Sequence, residues 1–314
     1  MNYLVTILTL AIASSVSLLL ASLGEMINQR SGVFNLGCEG IMAVGAFLGM
    51  LVPYLVGKGG PTSGIYNVLG LLLATGIGAP LGLFFAIFVV TFRAPQGIAG
   101  IGLEMFGLGV AGTLFRHFIG GTQSVPGITT PPIPLLSKIP VLGPVLFSQN
   151  ILVYVAYLCV PLSWYLLFKT PWGLKARACG TTPRAADSIG INVNRMRYQA
   201  LAIGGAMAGL AGAYLSLCQA KMFSDSLISG RGFIAVALVY FGHWKPVKIM
   251  WGALLFSLAQ TFQNVIQSLG INFPYEFAVM LPYVLVILVL AFDRESQRLG
   301  PTALGAPFNR EIRT

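Results

Sequence analysis

Nine apolar segments constrain the fold of this 314-residue chain more than any other feature of its sequence. Crossing the hydrocarbon core of a bilayer takes roughly 20 apolar residues in a helix, and all but one of the segments approach that length. The exception, 231–242, predicts a half-helix or a helix that extends into its flanks. Because backbone in lipid must satisfy its own hydrogen bonds, we predict an all-α, polytopic transmembrane helical bundle of about 9–10 spans, half-helices included. The segments are 3–23, 37–56, 66–92, 98–119, 149–168, 199–219, 231–242, 249–268 and 276–292.

The composition excludes a soluble globular protein. Hydrophobic residues make up 56% of the chain and charged residues 9%, whereas a soluble domain carries about 25% charged residues. The 4 cysteines have no CxxC spacing and there are only 2 histidines, so the sequence predicts neither a disulfide framework nor a metal site. It contains no P-loop, GxSxG or HExxH motif, and we therefore expect no catalytic site and no cofactor held by this chain.

Residues 169–198 form a basic island between two apolar segments. The island carries six Lys and Arg side chains against one acid, Asp187, which gives a net +5 out of the formal +10 of the whole protein. Since Lys and Arg concentrate in short cytoplasmic loops, we predict that the island faces the cytoplasm. The same threading places the tail 293–314 inside and the loop 120–148 outside, together with the N-terminus. Residues 1–292 are interpreted as a single transmembrane domain.

Four polar residues in or beside the apolar segments are candidates for a solute pathway: Asn35, Glu39, Gln96 and Glu104. Ionisable residues at membrane depth are costly and usually face a cavity or a partner. For Glu39 the alternative is a structural carboxylate that accepts hydrogen bonds from backbone exposed by the nearby glycines. For Glu104 a structural hydrogen bond and a pathway role are equally open. Asn35 and Gln96 suit a polar uncharged solute, although polar residues that merely join helices are as common.

Glycines four residues apart predict helices that approach one another closely. A G-x-G-x-x-G pattern also occurs inside the fourth segment, but no strand precedes it, and helix packing is the predicted role there too. The glycines concerned are Gly45/Gly49, Gly78/Gly82, Gly205/Gly209 and, in the pattern, Gly107, Gly109 and Gly112.

Three motifs carry a resemblance to a known family. TPWGLKARACGTTPRAADSIGINVNRMRYQALAIGGAMAGLAGAYLSL (170–217) resembles the signature of bacterial ABC-importer permeases of the branched-chain amino acid/ribose type. SGVFNLGCEGIMAVGAF (31–47) and SGRGFIAVALVYFGHWKPVKIMWGALLF (229–256) resemble the subgroup that is paired with basic-membrane-lipoprotein-type binding proteins and imports nucleosides, mainly purine ones. The chain departs from the family pattern at Glu104, where the resemblance implies an Asn-rich polar position, and at Pro95.

The resemblance implies a function for the basic island. In the family this loop carries a short helix that docks onto the ATPase, here near residues 182–189. Proline suits the first turn of such a helix, threonine suits its N-cap, and glycine lets the chain turn after it. The residues expected to couple to the ATPase are Thr182, Pro183, Ala185, Ala186, Asp187, Gly190 and Ile191.

The resemblance also implies the partners and the location. We expect a second permease subunit that completes a heterodimer, two ATPase subunits that alone bind ATP, an extracellular solute-binding lipoprotein and no nucleic acid. The expected location is the bacterial cell (inner) membrane, which the chain crosses several times. The alternatives are an ion-coupled secondary transporter that uses Glu39 or Glu104 as proton carriers, an ABC permease for a sugar or an amino acid, and a structural or assembly protein.

Overall fold

The computed structural model consists of helices, and the predicted all-α class is confirmed. The described residues, which are 3–56, 64–121, 124–125, 127–128, 143–268, 280, 284, 287, 291 and 300–309, form ten α-helices and no strand. Most of the ninth predicted span, 276–292, and most of the loop 120–148 lie outside them; residues 280, 284, 287 and 291 of that span are described and are helical. The helices are α1 (Tyr3–Arg30), α2 (Cys38–Val56), α3 (Gly64–Ala86), α4 (Gln96–Phe118), α5 (Ile151–Lys169), α6 (Pro171–Thr181), α7 (Pro183–Ser188), α8 (Val193–Tyr214), α9 (Arg231–Phe241) and α10 (Pro246–Ser268).

Within those residues, six helices are long and apolar enough to cross a bilayer: α1 to α5 and α8, with α3 and α8 each continuing into a π-helical turn. The segment predicted as a half-helix is α9, which has only 11 residues. At 1.5 Å per residue α9 is about 16 Å long, roughly half of the 30 Å hydrocarbon core. The half-helix interpretation of 231–242 is therefore the one that the structure supports.

Helix α8 lies at the centre of the bundle and packs against α1, α2 and α3. Its glycines allow this close packing, because the backbone of a neighbouring helix occupies the space that a larger side chain would need. A Cβ atom on Gly205 would collide with the carbonyl of Gly78, and one on Gly45 would collide with the carbonyl of Gly209. The predicted close approach through small residues is thus confirmed for these helices.

Helix α1 is longer than predicted, because the sequence places its end at residue 23 and the structure at Arg30. The extra turns carry Glu25, whose carboxylate accepts hydrogen bonds from Asn28 Nδ2 (2.9 Å) and Gln29 Nε2 (3.1 Å). Residues three and four apart are neighbours on a helix surface. The amide nitrogens of Asn28 and Gln29 are therefore paired with the Glu25 carboxylate, and the helix continues through a buried environment.

Several connections between helices meet at one end of the bundle. Arg30, at the end of α1, donates to the carbonyl of Trp244 (3.0 Å), which follows α9. The hydroxyls of Thr91 and Tyr198 lie 2.6 Å apart and join the end of α3 to the start of α8 at the same level. Since α6 and α7 lie at this end as well, the positive-inside rule assigns it to the cytoplasm.

Candidate functional site

Helix α6 begins at a threonine cap and is fixed to α8. Thr170 Oγ1 accepts a hydrogen bond from Gly173 N (3.1 Å), and Pro171 occupies the first helical position, where no amide hydrogen is needed. Trp172 Nε1 donates to Gln199 Oε1 on α8 (3.0 Å). The guanidinium of Arg177 lies 5.0 Å from the centre of the Phe168 ring. The basic island thus starts as an ordered helix anchored at both ends.

Helix α7 is the short helix that the island was expected to contain. Thr182 is its N-cap residue and Pro183 its first residue, but the Thr182 side chain makes no capping hydrogen bond. Gly190 has a φ of +86°, a left-handed conformation that suits glycine, and Ile191 N donates to Ala186 O (3.0 Å) across the turn. We call α6, α7 and the turn that leads into α8 (residues 171–192) the coupling module.

The two alanines of α7 face in opposite directions. Ala186 is only 2% exposed and packs into a small cluster with Ala176, Cys179, Val193 and Met196. Burial raises the pKa of the Cys179 thiol to about 11, so the thiol stays protonated at neutral pH. We expected both alanines to face a partner, but Ala186 instead holds α7 to the rest of the chain.

The outer side of α7 is available for contact. Ala185 is exposed, and Ile189 directly after the helix has 75% of its surface exposed. Asp187 and Ile191 are partly exposed, and Ile191 packs against the edge of the small cluster. An exposed isoleucine at the tip of a short helix is the kind of apolar surface that suits contact with another protein.

Glu39, on the second residue of α2, caps the N-terminus of the half-helix α9. Its Oε1 atom accepts a hydrogen bond from Gly230 N (2.7 Å), and Gly230 has a φ of +80°. Side chains are excluded nearby, since a Cβ atom on Gly232 would lie 2.5 Å from the Glu39 Cα. A carboxylate is favoured there because the first amide hydrogens of a helix point outward and carry partial positive charge. We call this contact the α9 junction.

Glu104 lies on α4 beside the α9 junction and is partly exposed. A Cβ atom on Gly40 would lie 2.8 Å from the Glu104 Cα, so α2 and α4 are in backbone contact here. The Glu39 and Glu104 carboxyl groups interact electrostatically. The predicted packing role of the α4 glycines is confirmed for Gly107, which packs against Gly40, and is wrong for Gly109, which faces open space.

Asn35 and Gln96 hold the connection between α1 and α2. Asn35 Oδ1 accepts from Gly37 N (2.9 Å), and its backbone amide donates to Glu25 Oε1 (2.9 Å). Gln96 Oε1 accepts from Phe34 N (3.0 Å). Asn35 is 2% and Gln96 4% exposed, so in this conformation both amides bind backbone rather than line an open pathway.

A buried polar network that the sequence analysis missed fixes the cytoplasmic end of α9. Trp244 Nε1 donates to Gln29 Oε1 (2.8 Å), and Gln29 in turn donates to Glu25. Glu25 is 1% exposed. The spacing of Glu25, Asn28 and Gln29 over one helical turn was the available signal, but these residues follow the first predicted span, which ends at residue 23. Both ends of α9 are thus fixed through α1 and α2.

The arrangement offers two functional regions and no evident centre for chemistry. In the part of the chain that the structure describes, no group of three His, Cys, Asp or Glu side chains is positioned to hold a metal ion. The coupling module presents an ordered apolar tip at the end of the bundle that the positive-inside rule favours as cytoplasmic. The α9 junction places a carboxylate at the N-terminus of a helix too short to cross the bilayer, and broken helices of this kind are found at transport pathways.

Comparison with known proteins shows similarity to membrane permeases. Residues 6–290 match the family model of the permease component of branched-chain amino acid transport systems. The chain is 38% identical over 302 residues to the guanosine ABC transporter permease protein NupQ of Bacillus subtilis (strain 168), covering 93% of this chain and 92% of NupQ. It is 35% identical over 282 residues to the nucleoside ABC transporter permease protein NupC of Lactococcus lactis subsp. cremoris (strain MG1363), covering 88% of each.

A further relative has a different name. TsgC13 of Haloferax volcanii, provisionally named a glucose ABC transporter permease protein, is 33% identical over 338 residues, which cover 99% of this chain and 100% of TsgC13. No solved structure matches this chain. The predicted family and the predicted multi-pass location in the bacterial cell membrane are confirmed. The chain belongs to the family of branched-chain amino acid transport system permease components, and it is the membrane-embedded part of an ABC transporter that works with an ATPase and a binding protein.

Proposed function

We propose that this permease imports a purine nucleoside, with energy from ATP that only its partner ATPase binds. The observation that carries the proposal is the similarity over nearly the whole chain to permeases named for guanosine and for nucleosides. The transporter would comprise this chain, a second related permease, two ATPase subunits and an extracellular lipoprotein that delivers the solute.

The coupling module supplies the contact with the ATPase. Ile189 and Ala185 form its exposed tip, and the buried Ala186 keeps α7 attached to α6 and α8. Because Trp172 fixes α6 to Gln199 of α8 (3.0 Å), displacement of α7 would move α8, the central helix of the bundle. The resulting rearrangement would alternate the solute site between the two sides of the membrane.

The α9 junction is the part of the pathway with the chemistry to hold a nucleoside. Glu104 is partly exposed beside Glu39, and a carboxylate there accepts hydrogen bonds from ribose hydroxyls or from a base amine. Glu39 holds the N-terminus of α9 through Gly230 (2.7 Å), so its role is to position the half-helix. Asn35 and Gln96 would position Glu39 indirectly, because they fix the α1–α2 connection that leads to it.

Transport by the reconstituted complex tests the proposal. The complete complex, placed in proteoliposomes with its lipoprotein, is expected to accumulate labelled guanosine only when ATP is supplied to the ATPase side. A matched complex carrying an ATPase that binds but does not hydrolyse ATP controls for leakage. Uptake without any ATPase, driven by a pH gradient, would instead favour the secondary transporter.

A sugar is the competing substrate class, because of the similarity to TsgC13. The solute-binding lipoprotein separates the two. Titration with guanosine, adenosine, glucose and leucine should give binding to the nucleosides at concentrations about a hundredfold lower than to the others, a difference of roughly 2.7 kcal/mol. Preferential binding of glucose would replace the nucleoside assignment and leave the ABC permease unchanged.

A further inference from the structure

Residues 300–309, near the C-terminus, run across the coupling module instead of extending into solvent; we call this segment the strap. Ala303 N donates to Gly180 O (3.0 Å), and Thr302 Oγ1 donates to Thr181 O (2.5 Å). These carbonyls belong to the last turn of α6, where helical partners are missing. The strap therefore completes the end of α6.

The strap is also bound to the start of α8 and to the small cluster under α7. Arg197 is 1% exposed, and its Nη1 donates to Ala306 O (3.1 Å). Its Nε and Nη2 have no hydrogen-bond partner among the described residues, so the strap carbonyl is an important partner of a buried cation. Phe308 packs against the cluster that contains Ala186 and Cys179.

At its other side the strap contacts the elements that control α9. Gly305 N donates to Gly32 O (3.2 Å), in the connection that leads to α2 and Glu39. Gly300 lies against the Trp244 ring, because a Cβ atom added there would be 2.8 Å from its Cη2. Trp244 is the residue that ties the cytoplasmic end of α9 to Gln29 (2.8 Å).

We propose that the strap transmits movement of the coupling module to the half-helix α9, in addition to the route through α8. The inference rests on the proposed function, and it adds a working part that the sequence analysis treats as a plain cytoplasmic tail. Backbone bonds connect the strap to α6 and to the α1–α2 connection, and Gly300 connects it to α9. A displacement of α7 and α6 therefore reaches both ends of α9 without passing through the centre of the bundle.

A strap that only stabilises the fold would differ in its effects from a strap that transmits movement. If the strap only stabilises the fold, its loss lowers the amount of folded complex, and ATP hydrolysis and transport fall together. Loss of a transmitting strap leaves the ATPase docked and active while the solute pathway responds poorly. The quantity that separates them is the number of solute molecules transported per ATP hydrolysed.

Substitutions at two neighbouring strap residues provide a test variant and its matched control. Phe308→Asp places a carboxylate where an apolar ring packs on the small cluster, and Pro307→Asp places the same charge on the exposed residue beside it. A truncation after residue 299 removes the strap entirely. Cys179 reports release of the strap, because it is fully buried in the same cluster. For that measurement Cys38, Cys159 and Cys218 are replaced by alanine.

Uptake and ATP hydrolysis are measured in the same proteoliposomes, and Cys179 modification in the same preparations. We expect Phe308→Asp and the truncation to raise the Cys179 reaction rate and to lower transport per ATP, each by about tenfold, while Pro307→Asp stays within about twofold of wild type. An unchanged ratio in any variant whose Cys179 has become reactive overturns the proposal. Cys179 that stays protected in Phe308→Asp and in the truncated chain overturns it as well, because the strap would not cover the cluster.

The wild-type complex separates failure of the strap from failure of the proposed function. If the wild type shows no ATP-driven uptake, the proposed function fails. If the wild type is active and the variants transport as much solute per ATP, only the strap proposal fails. Should the truncated chain not assemble, Phe308→Asp decides, because it leaves the rest of the strap in place.

Discussion

The coupling module and the α9 junction are both built at the beginning of a short helix, yet they are stabilised in opposite ways. At α7 the N-cap side chain of Thr182 makes no capping bond, the helix is held by the small apolar residues under Ala186, and the tip at Ile189 is exposed. At α9 the N-cap Gly230 and the first residue Arg231 are only partly exposed, and a buried carboxylate, Glu39, binds the N-terminus directly. A helix start in water has solvent for its amide hydrogens, whereas one inside a bilayer must be given a partner.

The difference between these two helix starts affects which substitutions each region tolerates. The coupling module tolerates an open surface and suits contact with another protein. The α9 junction joins α2 to α9 through the Glu39 carboxylate, which lies beside Glu104 and binds the first backbone amides of α9, and rearrangement of the bundle has to preserve or replace that contact. Substitutions should therefore separate the two regions: at the tip they alter coupling without loss of folding, and at the junction they alter both.

The largest effect is expected at the junction. Glu39→Ala removes the acceptor of the Gly230 amide, and an unsatisfied buried group costs about 1–3 kcal/mol. We expect both a lower thermal unfolding temperature in detergent and loss of uptake. Glu39→Gln is the matched control, since its amide oxygen still accepts a hydrogen bond and should keep much of the stability. Equal stability of wild type and Glu39→Ala would contradict the capping role.

Substitution of the two neighbouring alanines of α7 should separate docking from folding. Ala185→Glu adds charge and bulk to the exposed face, and we expect about a tenfold loss of ATP-driven uptake with an unchanged unfolding temperature. Ala186→Glu forces a carboxylate into an apolar cluster and should lower the unfolding temperature. Thermal unfolding and uptake are measured for both variants. If Ala185→Glu transports normally, the outer face of α7 is not the ATPase contact.

A smaller effect is expected at Glu104, which has no capping role. Glu104→Gln keeps the shape and removes the charge, and we expect guanosine uptake to fall by about three- to tenfold with normal amounts of protein in the membrane. Glu104→Ala should be at least as impaired. Wild-type transport by both variants would show that Glu104 is structural and does not meet the solute.

The smallest effect is expected from the external ion pair. Arg116 Nη1 and Asp225 Oδ2 lie 3.0 Å apart, but their side chains are 64% and 62% exposed. Exposed pairs contribute about 0–1 kcal/mol, so Arg116→Ala should leave the unfolding temperature and the uptake nearly unchanged. A loss of uptake comparable to that of Glu104→Gln would show that this end receives the lipoprotein.

Much of the fold was predictable from the sequence. Apolar length predicted the helices, and glycine spacing predicted close approach at the positions where α8 packs on α2 and α3. The segment at 231–242 predicted either a half-helix or a longer helix, and the structure has the half-helix. Glu25, Gln29 and Trp244 were not predicted as a network because the two ends of the network are 219 positions apart in the chain, and hydropathy carries no information on such pairing. The inward direction of Ala186 depends on the turn at Gly190 and on contacts with α6.

The candidate site was predicted in part. Composition and motif pointed to the basic island, but the strap could not be found from its own residues, which carry no charge or periodic pattern between positions 300 and 308. Asn35 and Gln96 were selected as polar groups within apolar surroundings, and that criterion does not distinguish a side chain that binds a loop from one that meets a solute. Only the positions of the Phe34 and Gly37 amides separate the two.

Docking of the exposed α7 tip on the ATPase is tested most directly by the protection of a single cysteine placed at that tip. Ile189→Cys, in a chain that keeps the buried Cys179 and has alanine at the other three cysteine positions, should react quickly with a polar maleimide in the isolated permease. In the assembled complex with its ATPase we predict a reaction rate lower by about tenfold or more, because the tip enters a protein interface. An equal rate with and without the ATPase would contradict the account.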